Sequence, residues 1–384
     1  MQWIDNIVFT VILVAAALLF MKNAGKIRRN ILLGKDLNRS DRKGERWALM
    51  TKIALGQSKM VVKPVAGFFH ILIYVGFVLI NIEVLEILID GIFGTHRVFS
   101  SLLGGLYTVA INFFELLALG VIVACVVFLA RRVVLKVKRF HAPEMKGWAT
   151  TDAQNILYIE LALMFALLLM NAVESNFENE SVGPFIISGM IAPAFSGLEQ
   201  SSLHLLERSF WWVHILGILA FLNYLPYSKH FHIFLSFPNV WYANLDPKGQ
   251  FSNMASVTEE VKKMMDPNAD PYAAPDPNAA PPDRFGAKDV RDLNWVQLMN
   301  AYSCTECGRC TSECPANQTG KLLSPRKIMM DTRDRLDEVG KVIDREGSFV
   351  EDGRSLLDTF ISREELWACT TCNACVQACP IGID

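Results

Sequence analysis

The sequence has no strong excess of charge of either sign. Its 37 lysines and arginines nearly balance 39 aspartates and glutamates, and charged residues make up only 20% of the 384 positions. Nothing in this balance indicates a nucleic-acid partner, which a basic patch or stripe would signal. The part of the chain after residue 235 also lacks a nucleophile motif and a glycine-rich phosphate loop. A catalytic site in that part is therefore not indicated.

The first 235 residues carry nearly all the long apolar runs, and 52% of the whole chain is hydrophobic. Five windows are apolar enough to cross a bilayer as helices, which takes about 20 residues each. They cover residues 7–21, 68–93, 103–130, 155–173 and 210–234. The first window lacks a basic leader and a small-residue cleavage site, so we interpret it as a retained helix and not a signal peptide.

Lysine and arginine are almost missing from two of the connecting segments. Residues 94–102 contain only Arg97, and residues 174–202 contain none, whereas twelve basic residues lie between the first two windows and six between the third and fourth. Basic residues accumulate on the cytoplasmic side of a membrane protein. We therefore expect a multi-pass protein of the cell inner membrane, with the N-terminus outside and everything after the fifth helix in the cytoplasm.

Cysteine is rare, with nine residues in the chain, yet eight of them fall into two short runs that each end in proline. The runs are Cys304, Cys307, Cys310, Cys314 and Pro315, then Cys369, Cys372, Cys375, Cys379 and Pro380. This C-x₂-C-x₂-C-x₃-C-P spacing is that of two-cluster ferredoxins, in which the fourth cysteine of each run ligates the other cluster. One [4Fe-4S] cluster is then held by Cys304, Cys307, Cys310 and Cys379. The second is held by Cys369, Cys372, Cys375 and Cys314.

Two other roles for these cysteines fit less well. Disulfides are disfavoured because the expected topology puts all eight thiols in a reducing compartment. Structural zinc usually takes two separated C-x₂-C pairs and has no need for the third closely spaced cysteine found in both runs. The ninth cysteine, Cys125, lies inside the third apolar window and is interpreted as a small packing residue.

These motifs define the expected fold class. Residues 1–235 are predicted to form an all-α membrane bundle of five transmembrane helices. Residues 236–285 form a linker, with six prolines between 267 and 282, and residues 286–384 form a small, mostly α-helical dicluster ferredoxin-like cytoplasmic domain. Within that domain, residues 285–303 have helical periodicity, Ser324 caps a helix that runs to about Val339, and Ser362 with Glu365 has capping-box spacing.

Histidine is also scarce, and three of the seven histidines lie in the fifth apolar window. His214 and His232 are 18 residues apart, about five whole turns of a helix, so on one continuous helix they face the same direction. His230 is rotated away from that line. His70, in the second window, has a depth similar to that of His232, as two axial ligands of one b-type haem must have.

The five-helix layout, the FFH around His70 and the H-x₁₇-H from His214 to His232 resemble the gamma subunit of respiratory nitrate reductase and related membrane cytochromes b. The cysteine module resembles the ferredoxin-like subunit of heterodisulfide reductase. The resemblance implies that His70 and His232 ligate one haem b. It also implies that His214 belongs to an outer haem whose partner is missing, because Ile80 stands where the family has a second histidine.

The resemblance also implies a function. The chain is expected to pass electrons between the (mena)quinone pool, haem b, two [4Fe-4S] clusters and a cytoplasmic redox protein. That partner is expected to be a heterodisulfide reductase-like cysteine-rich subunit or an electron-transfer flavoprotein. The chain would then be the electron-transfer subunit of a quinone-linked oxidoreductase. The alternative is a haem-free membrane anchor for a ferredoxin module of a heterodisulfide reductase-like complex.

Several carboxylates lie within the apolar windows, where they are costly unless paired. One interpretation places Glu83, Glu86 and Asp90 near the outer interface, and we expect this for Asp90. We hypothesise that Glu115, Glu160 or both serve quinone proton exchange together with His214. The chain stops four residues after Pro380, where a ferredoxin module would ordinarily continue. We therefore expect either a truncated sequence or a partner that completes the fold.

Overall fold

The computed structural model describes residues 2–178, 183–250, 253–268 and 284–384. Regular structure within these ranges is helical, with isolated β-bridges joining Lys35 to Asn294 and Leu357 to Ile361. The α-helices are α1 Gln2–Ile31, α2 Lys43–Met50, α3 Pro64–Phe93, α4 Val98–Leu103, α5 Gly105–Val133, α6 Trp148–Glu174, α7 Ser188–Ile191, α8 Gln200–Tyr224, α9 His232–Trp241, α10 Ala255–Met265, α11 Trp295–Ser303, α12 Arg309–Glu313, α13 Pro315–Gln318, α14 Pro325–Glu346, α15 Arg363–Trp367 and α16 Ala374–Ala378.

Within the described part of the chain, five helical segments are long and apolar enough to cross a membrane, as the five apolar windows predict. They are Trp3–Ile31, Pro64–Phe93, Gly105–Val133, Trp148–Glu174 and Gln200–Tyr227. Many of the large apolar side chains on these helices are exposed, which is the surface that lipid would cover. The all-α membrane bundle of the predicted fold class is confirmed.

The chain divides into two compact units. The first, which we call the bundle unit, contains Met1–Ile27, Leu55–Ile233 and the short segment Thr305–Cys307. Within it α3 packs on α5, α5 on α6, and α6 on α8. Glycine allows close helix contact here, because a Cβ atom at Gly217 would lie 2.7 Å from the Leu163 side chain.

The fifth apolar window is not one continuous helix, so the placement of His214 and His232 on one helical face was wrong. Helix α8 ends at Tyr224, and two 3₁₀ turns, Leu225–Tyr227 and Lys229–Phe231, precede α9. Pro226 accounts for the break, since proline lacks the N–H group and clashes with the preceding helical turn. His232 is the first residue of α9, and its direction is independent of the face of His214.

The second unit contains Arg28–Ala54, Phe234–Cys304 and Gly308–Asp384. Ser324 caps α14 by accepting from the Lys327 N–H, and Ser362 with Glu365 forms the capping box of α15, so both predicted helix starts are confirmed. Helix α14 continues past Val339 to Glu346. The helix predicted over 285–303 begins only at Trp295.

Asn294 caps that helix, and a 3₁₀ turn stands at Val290–Asp292 before it. The capping side chain of Asn294 accepts from the Gln297 N–H and thereby fixes where the helix starts. Most of the predicted proline-rich stretch 267–282 lies outside the described residues.

The core of the second unit is held by buried polar contacts around α14. The Arg335 guanidinium is buried and donates to the carboxylates of Asp289 and Asp352 and to the Arg354 carbonyl. Burial lowers the pKa of Arg335, but the hydrogen bonds to Asp289 and Asp352 outweigh it and leave the pKa raised, so the side chain stays charged. This arginine ties the turn before α11 and the segment after α14 to the helix that separates the two cysteine runs.

Candidate iron-sulfur and haem sites

The two cysteine runs differ in exposure. Cys304 and Cys314 are buried, four others are half-buried, and Cys369 and Cys372 of the second run are exposed. Helices α12 and α16, which carry the third cysteine of each run, pack against each other in the second unit. The two runs, more than fifty residues apart in sequence, are therefore brought together by this helix pair.

Each run curls through the same two unusual backbone positions. Glu306 and Thr371, both directly before the second cysteine, have φ angles of 53° and 54°. Gly308 and Asn373, both directly after it, have φ angles of 70° and 56°. Non-glycine residues seldom adopt this left-handed conformation. Its repetition shows that the two runs share one loop geometry, which turns the chain around a centre.

The fourth cysteine of the first run lies with the cysteines of the second run. Burial raises the pKa of the Cys375 thiol, and the nearby Cys314 and Cys369 sulfurs raise it further. Cys314, Cys369 and Cys375 are three of the four residues that the ferredoxin pattern assigns to the second cluster. This grouping supports the exchanged ligation, while the full ligand sets stay a prediction.

Three histidines meet at the end of the bundle where α3 begins. His230 lies within electrostatic range of both His70 and His232, and the rings of His230 and His232 are 5.4 Å apart. The Nδ1 atom of His232 lies 3.1 Å from the Lys229 carbonyl oxygen. Metal-ligating histidines commonly use one ring nitrogen in this way, which leaves the other for the metal.

His230 is the residue that sequence reasoning missed. On a continuous helix it would point away from His232, but the 3₁₀ turn after Ser228 places its ring beside that of His232 and stacks it 5.3 Å from the ring of Phe221. The proline at position 226 was the available signal, because a proline inside a helical window ends or kinks the helix.

His214 lies apart from that group, in the middle of α8. Its ring is buried, its Nδ1 atom lies 2.9 Å from the Leu163 carbonyl oxygen, and its Nε2 atom has no hydrogen-bond partner among the described residues. A buried polar atom without a partner is costly unless a ligand supplies one. A ligand role for His214 stays a prediction.

Lys229 connects three segments of the bundle unit at the same end as His232. Its Nζ atom donates to the Ala149 carbonyl at 2.6 Å and to the Glu306 carboxylate, and it lies 3.9 Å from Asp152. Lys229, Asp152 and Glu306 are all buried. The lysine side chain thus binds the loop residue between Cys304 and Cys307, while its backbone carbonyl orients His232.

A second polar group occupies the opposite end of the bundle. Glu83 and Glu86 belong to it and are both 2% exposed. The Arg97 guanidinium donates to Glu83 and to Glu174, and the Tyr107 hydroxyl donates to Glu86 at 2.6 Å. Asp90 accepts from the backbone N–H groups of Arg97 and Val98 in the adjoining loop.

Glu115 belongs to the same end, and both its oxygens accept hydrogen bonds. Oε1 accepts from the Asn171 side-chain amide at 3.2 Å. Oε2 accepts from the backbone N–H groups of Ile187 and Ser188 at 2.9 and 3.3 Å. This carboxylate therefore fixes the loop before α7. Glu160 is buried further along α6. A role for either residue in proton exchange stays a hypothesis.

Comparisons with known proteins agree with the cysteine geometry. Residues 303–383 match the family described as a 4Fe-4S dicluster domain. The chain is 26% identical to a probable iron-sulfur-binding oxidoreductase, FadF, of Bacillus subtilis, over 98% of this chain and 53% of that protein. It is 24% identical to EtfAB:quinone oxidoreductase of Syntrophomonas wolfei, over 100% of this chain and 53% of that protein.

The C-terminal part has further relatives. One component of the dihydromethanophenazine:CoB–CoM heterodisulfide reductase of Methanosarcina mazei is 31% identical over 25% of this chain and 24% of that protein. No solved structure matches the chain. The chain spans about half the length of the first two relatives. Within the described residues it combines a dicluster iron-sulfur domain with helices that are long and apolar enough to cross a membrane.

Proposed function

We propose that this chain passes electrons between a quinone in the membrane and a cytoplasmic redox protein, through one haem b in the bundle and two [4Fe-4S] clusters. The observation that carries the proposal lies at one end of the bundle unit. There, His230 lies beside His232 and within electrostatic range of His70, and the neighbouring Lys229 binds Glu306, which stands between two cysteines of the first run. Lys229 thus links a candidate haem ligand, through its backbone carbonyl, with the cysteine loop, through its side chain.

His70 and His232 are the proposed axial ligands. His232 is supported by its Nδ1 contact with the Lys229 carbonyl, which directs Nε2 away from the backbone. A haem there would supply one-electron transfer. The protein's own part is to fix both rings, to keep them in an apolar bundle, and to exclude water from the space between them.

The eight cysteines of the two runs are the proposed cluster ligands, four to each cluster, in the exchanged sets given above. Clusters held so would supply one-electron steps. Cys369 and Cys372 are exposed, which favours the second run as the place where a redox partner docks. The names of the relatives, an EtfAB:quinone oxidoreductase and a heterodisulfide reductase component, favour an electron-transfer flavoprotein or a cysteine-rich protein as that partner.

Orientation and organisation are part of the same proposal. The basic residues favour an inner-membrane protein with its N-terminus outside and the iron-sulfur module in the cytoplasm. Residues 1–235 would form the cytochrome b-like domain, 236–285 the linker and 286–384 the dicluster domain. The chain would act as the electron-transfer subunit of a quinone-linked oxidoreductase, with catalysis on its partner.

Visible absorption of the purified, dithionite-reduced protein tests the proposal. We expect a sharp b-type α band that is lost in His70→Ala and in His232→Ala. His204→Ala, which changes an exposed histidine of α8, is the matched control and should keep the band. His230→Ala should shift the band without abolishing it, because its ring packs beside His232.

The second candidate function is a haem-free membrane anchor for the iron-sulfur module. Ile80 favours it, since that position lacks the second histidine of the family pattern. Wild-type protein that has full iron-sulfur absorbance and no α band after reconstitution with haem would establish the anchor and exclude the haem relay.

A further inference from the structure

The polar group around Arg97 holds more negative than positive charge in a buried place. Four carboxylates contribute to it, from three helices, and each is at most 3% exposed. Side chains of the adjoining loop and of a tyrosine face these carboxylates. The titratable and charged side chains of the whole group are Glu83, Glu86, Asp90, His96, Arg97, Tyr107, Glu115 and Glu174. One guanidinium cannot neutralise all of these carboxylates.

The hydrogen bonds distinguish the four buried carboxylates from one another. Both oxygens of Glu86 accept, from the Tyr107 hydroxyl and the Phe99 N–H, and both oxygens of Glu115 accept. In Glu83 and Glu174, by contrast, one oxygen binds Arg97 while the other has no hydrogen-bond partner among the described residues. A carboxylate oxygen that is ionised and buried without a hydrogen-bond donor carries the full desolvation cost of a buried charge.

A proton removes this cost. It converts the bare oxygen of Glu83 or Glu174 into a neutral hydroxyl and lowers the negative charge that faces Arg97. The remaining oxygen of each carboxyl group still accepts from Arg97, at 3.1 Å for Glu83 and 2.6 Å for Glu174. Protonation therefore requires no rearrangement of the guanidinium.

A route to solvent reaches this pair from the loop. The Nε2 atom of His96 lies 3.9 Å from the unpaired Oε1 atom of Glu174, and the His96 side chain is 37% exposed. Histidine is the side chain best suited to relay protons near neutral pH. The loop thus connects the buried carboxyl group with the surface at the end of the bundle away from His70.

We propose that Glu83 and Glu174 form a proton-binding site that exchanges with solvent through His96. Its link with electron transfer rests on the proposed function. When a quinol in the bundle is oxidised to a quinone, two electrons pass on toward the clusters and two protons are released. The protonated pair passes its proton to His96, which releases it to the outside solvent on the topology proposed above, and a quinol proton then replaces it at the carboxylate oxygen. The two quinol protons leave one after the other by this route.

Infrared spectroscopy of the full-length protein in detergent, kept oxidised and without any electron donor, tests the site. We expect a C=O stretching band of a protonated, buried carboxyl group that persists at neutral pH and shifts in D₂O. Glu83→Gln and Glu174→Gln should each remove or displace the band, and Glu199→Gln, which changes an exposed carboxylate before α8, should leave it unchanged. Absence of the band, or its persistence in both variants, overturns the proposal.

Two further measurements protect the test from folding defects. Wild-type protein labelled with ¹³C-glutamate should show the same band at a lower frequency, which assigns the proton to a glutamate without any substitution. His96→Gln should retain the band but slow its exchange in D₂O, and unchanged exchange would contradict the relay. Because no haem or donor takes part, loss of this site and loss of the b-type α band are separate outcomes.

Discussion

The Nδ1 atom of His214 lies 2.9 Å from the backbone carbonyl oxygen of Leu163, on the neighbouring helix α6. The contact fixes the rotation of the imidazole ring and directs its other nitrogen into the bundle. The Leu163 side chain in turn fills the space that Gly217 leaves on α8, one turn beyond His214. Position 217 therefore controls how closely α6 and α8 approach at this histidine.

Gly217→Val should destabilise the bundle by about 1–3 kcal/mol, the usual cost of overpacking. A Cβ atom there would be 2.7 Å from the Leu163 Cδ2 atom, and valine adds two more carbons. Thermal unfolding in detergent, followed by circular dichroism, measures the change. Gly25→Val on α1 meets open space and serves as the control; an equal loss in both variants would contradict the packing argument.

The exchanged ligation of the clusters can be read from pairs of cysteine substitutions. Cys314→Ser alone should halve the iron content. Adding Cys372→Ser should cost no further iron because the proposed ligation assigns both residues to the second cluster, whereas adding Cys307→Ser should remove nearly all of it. Iron and sulfide analysis gives the counts, and Cys125→Ser should have no effect. The reverse pattern would mean that each run holds its own cluster.

Lys229→Met should destabilise the bundle unit strongly, by about 3–5 kcal/mol, because it leaves Glu306 and Asp152 as buried carboxylates without the lysine charge. Adding Glu306→Gln should recover part of the loss. Thermal unfolding of single and double variants measures the coupling. Lys263→Met, at an exposed position, is the control, and additive effects of the Lys229 and Glu306 substitutions would refute the pairing.

Arg335→Gln should destabilise the second unit by about 2 kcal/mol, since it removes charge-assisted hydrogen bonds to Asp289 and Asp352. The Arg335 side chain lowers the pKa of Asp352 below its ordinary value of 3.8. A lowered folded-state pKa stabilises the fold above the unfolded value, and this contribution is lost as pH falls through the folded value.

The loss of unfolding free energy caused by Arg335→Gln should therefore be constant from pH 8 to about pH 5 and shrink only below about pH 4. Urea unfolding of the iron-free full-length protein, monitored by circular dichroism, avoids acid loss of the clusters. The exposed pair of Arg345 and Glu346 provides the control substitution, Arg345→Gln. A loss of unfolding free energy that grows as pH falls would contradict the lowered pKa of Asp352.

Local patterns in the sequence predicted what depends on local geometry. The cysteine spacing, the caps at Ser324 and Ser362 and the five apolar windows each specify their structure within one segment. The Arg97 group could not be found this way, because Glu83 lies 14 residues before the arginine and Glu174 lies 77 residues after it. The direction of His230 was predicted wrongly because the helix was assumed to continue through Pro226, where proline breaks it.

Arg97 also constrains how the protein is made. Its partners lie on α3 and α6, with Tyr107 of α5 alongside, so the set is complete only after the fourth span has been synthesised. Until then, Glu83 and Glu86 enter the membrane without their final neighbours, and a lone carboxylate in lipid is unfavourable. Helices α3, α5 and α6 should consequently leave the insertion machinery as a group, and a nascent chain cut before Glu174 should be retained there or degraded.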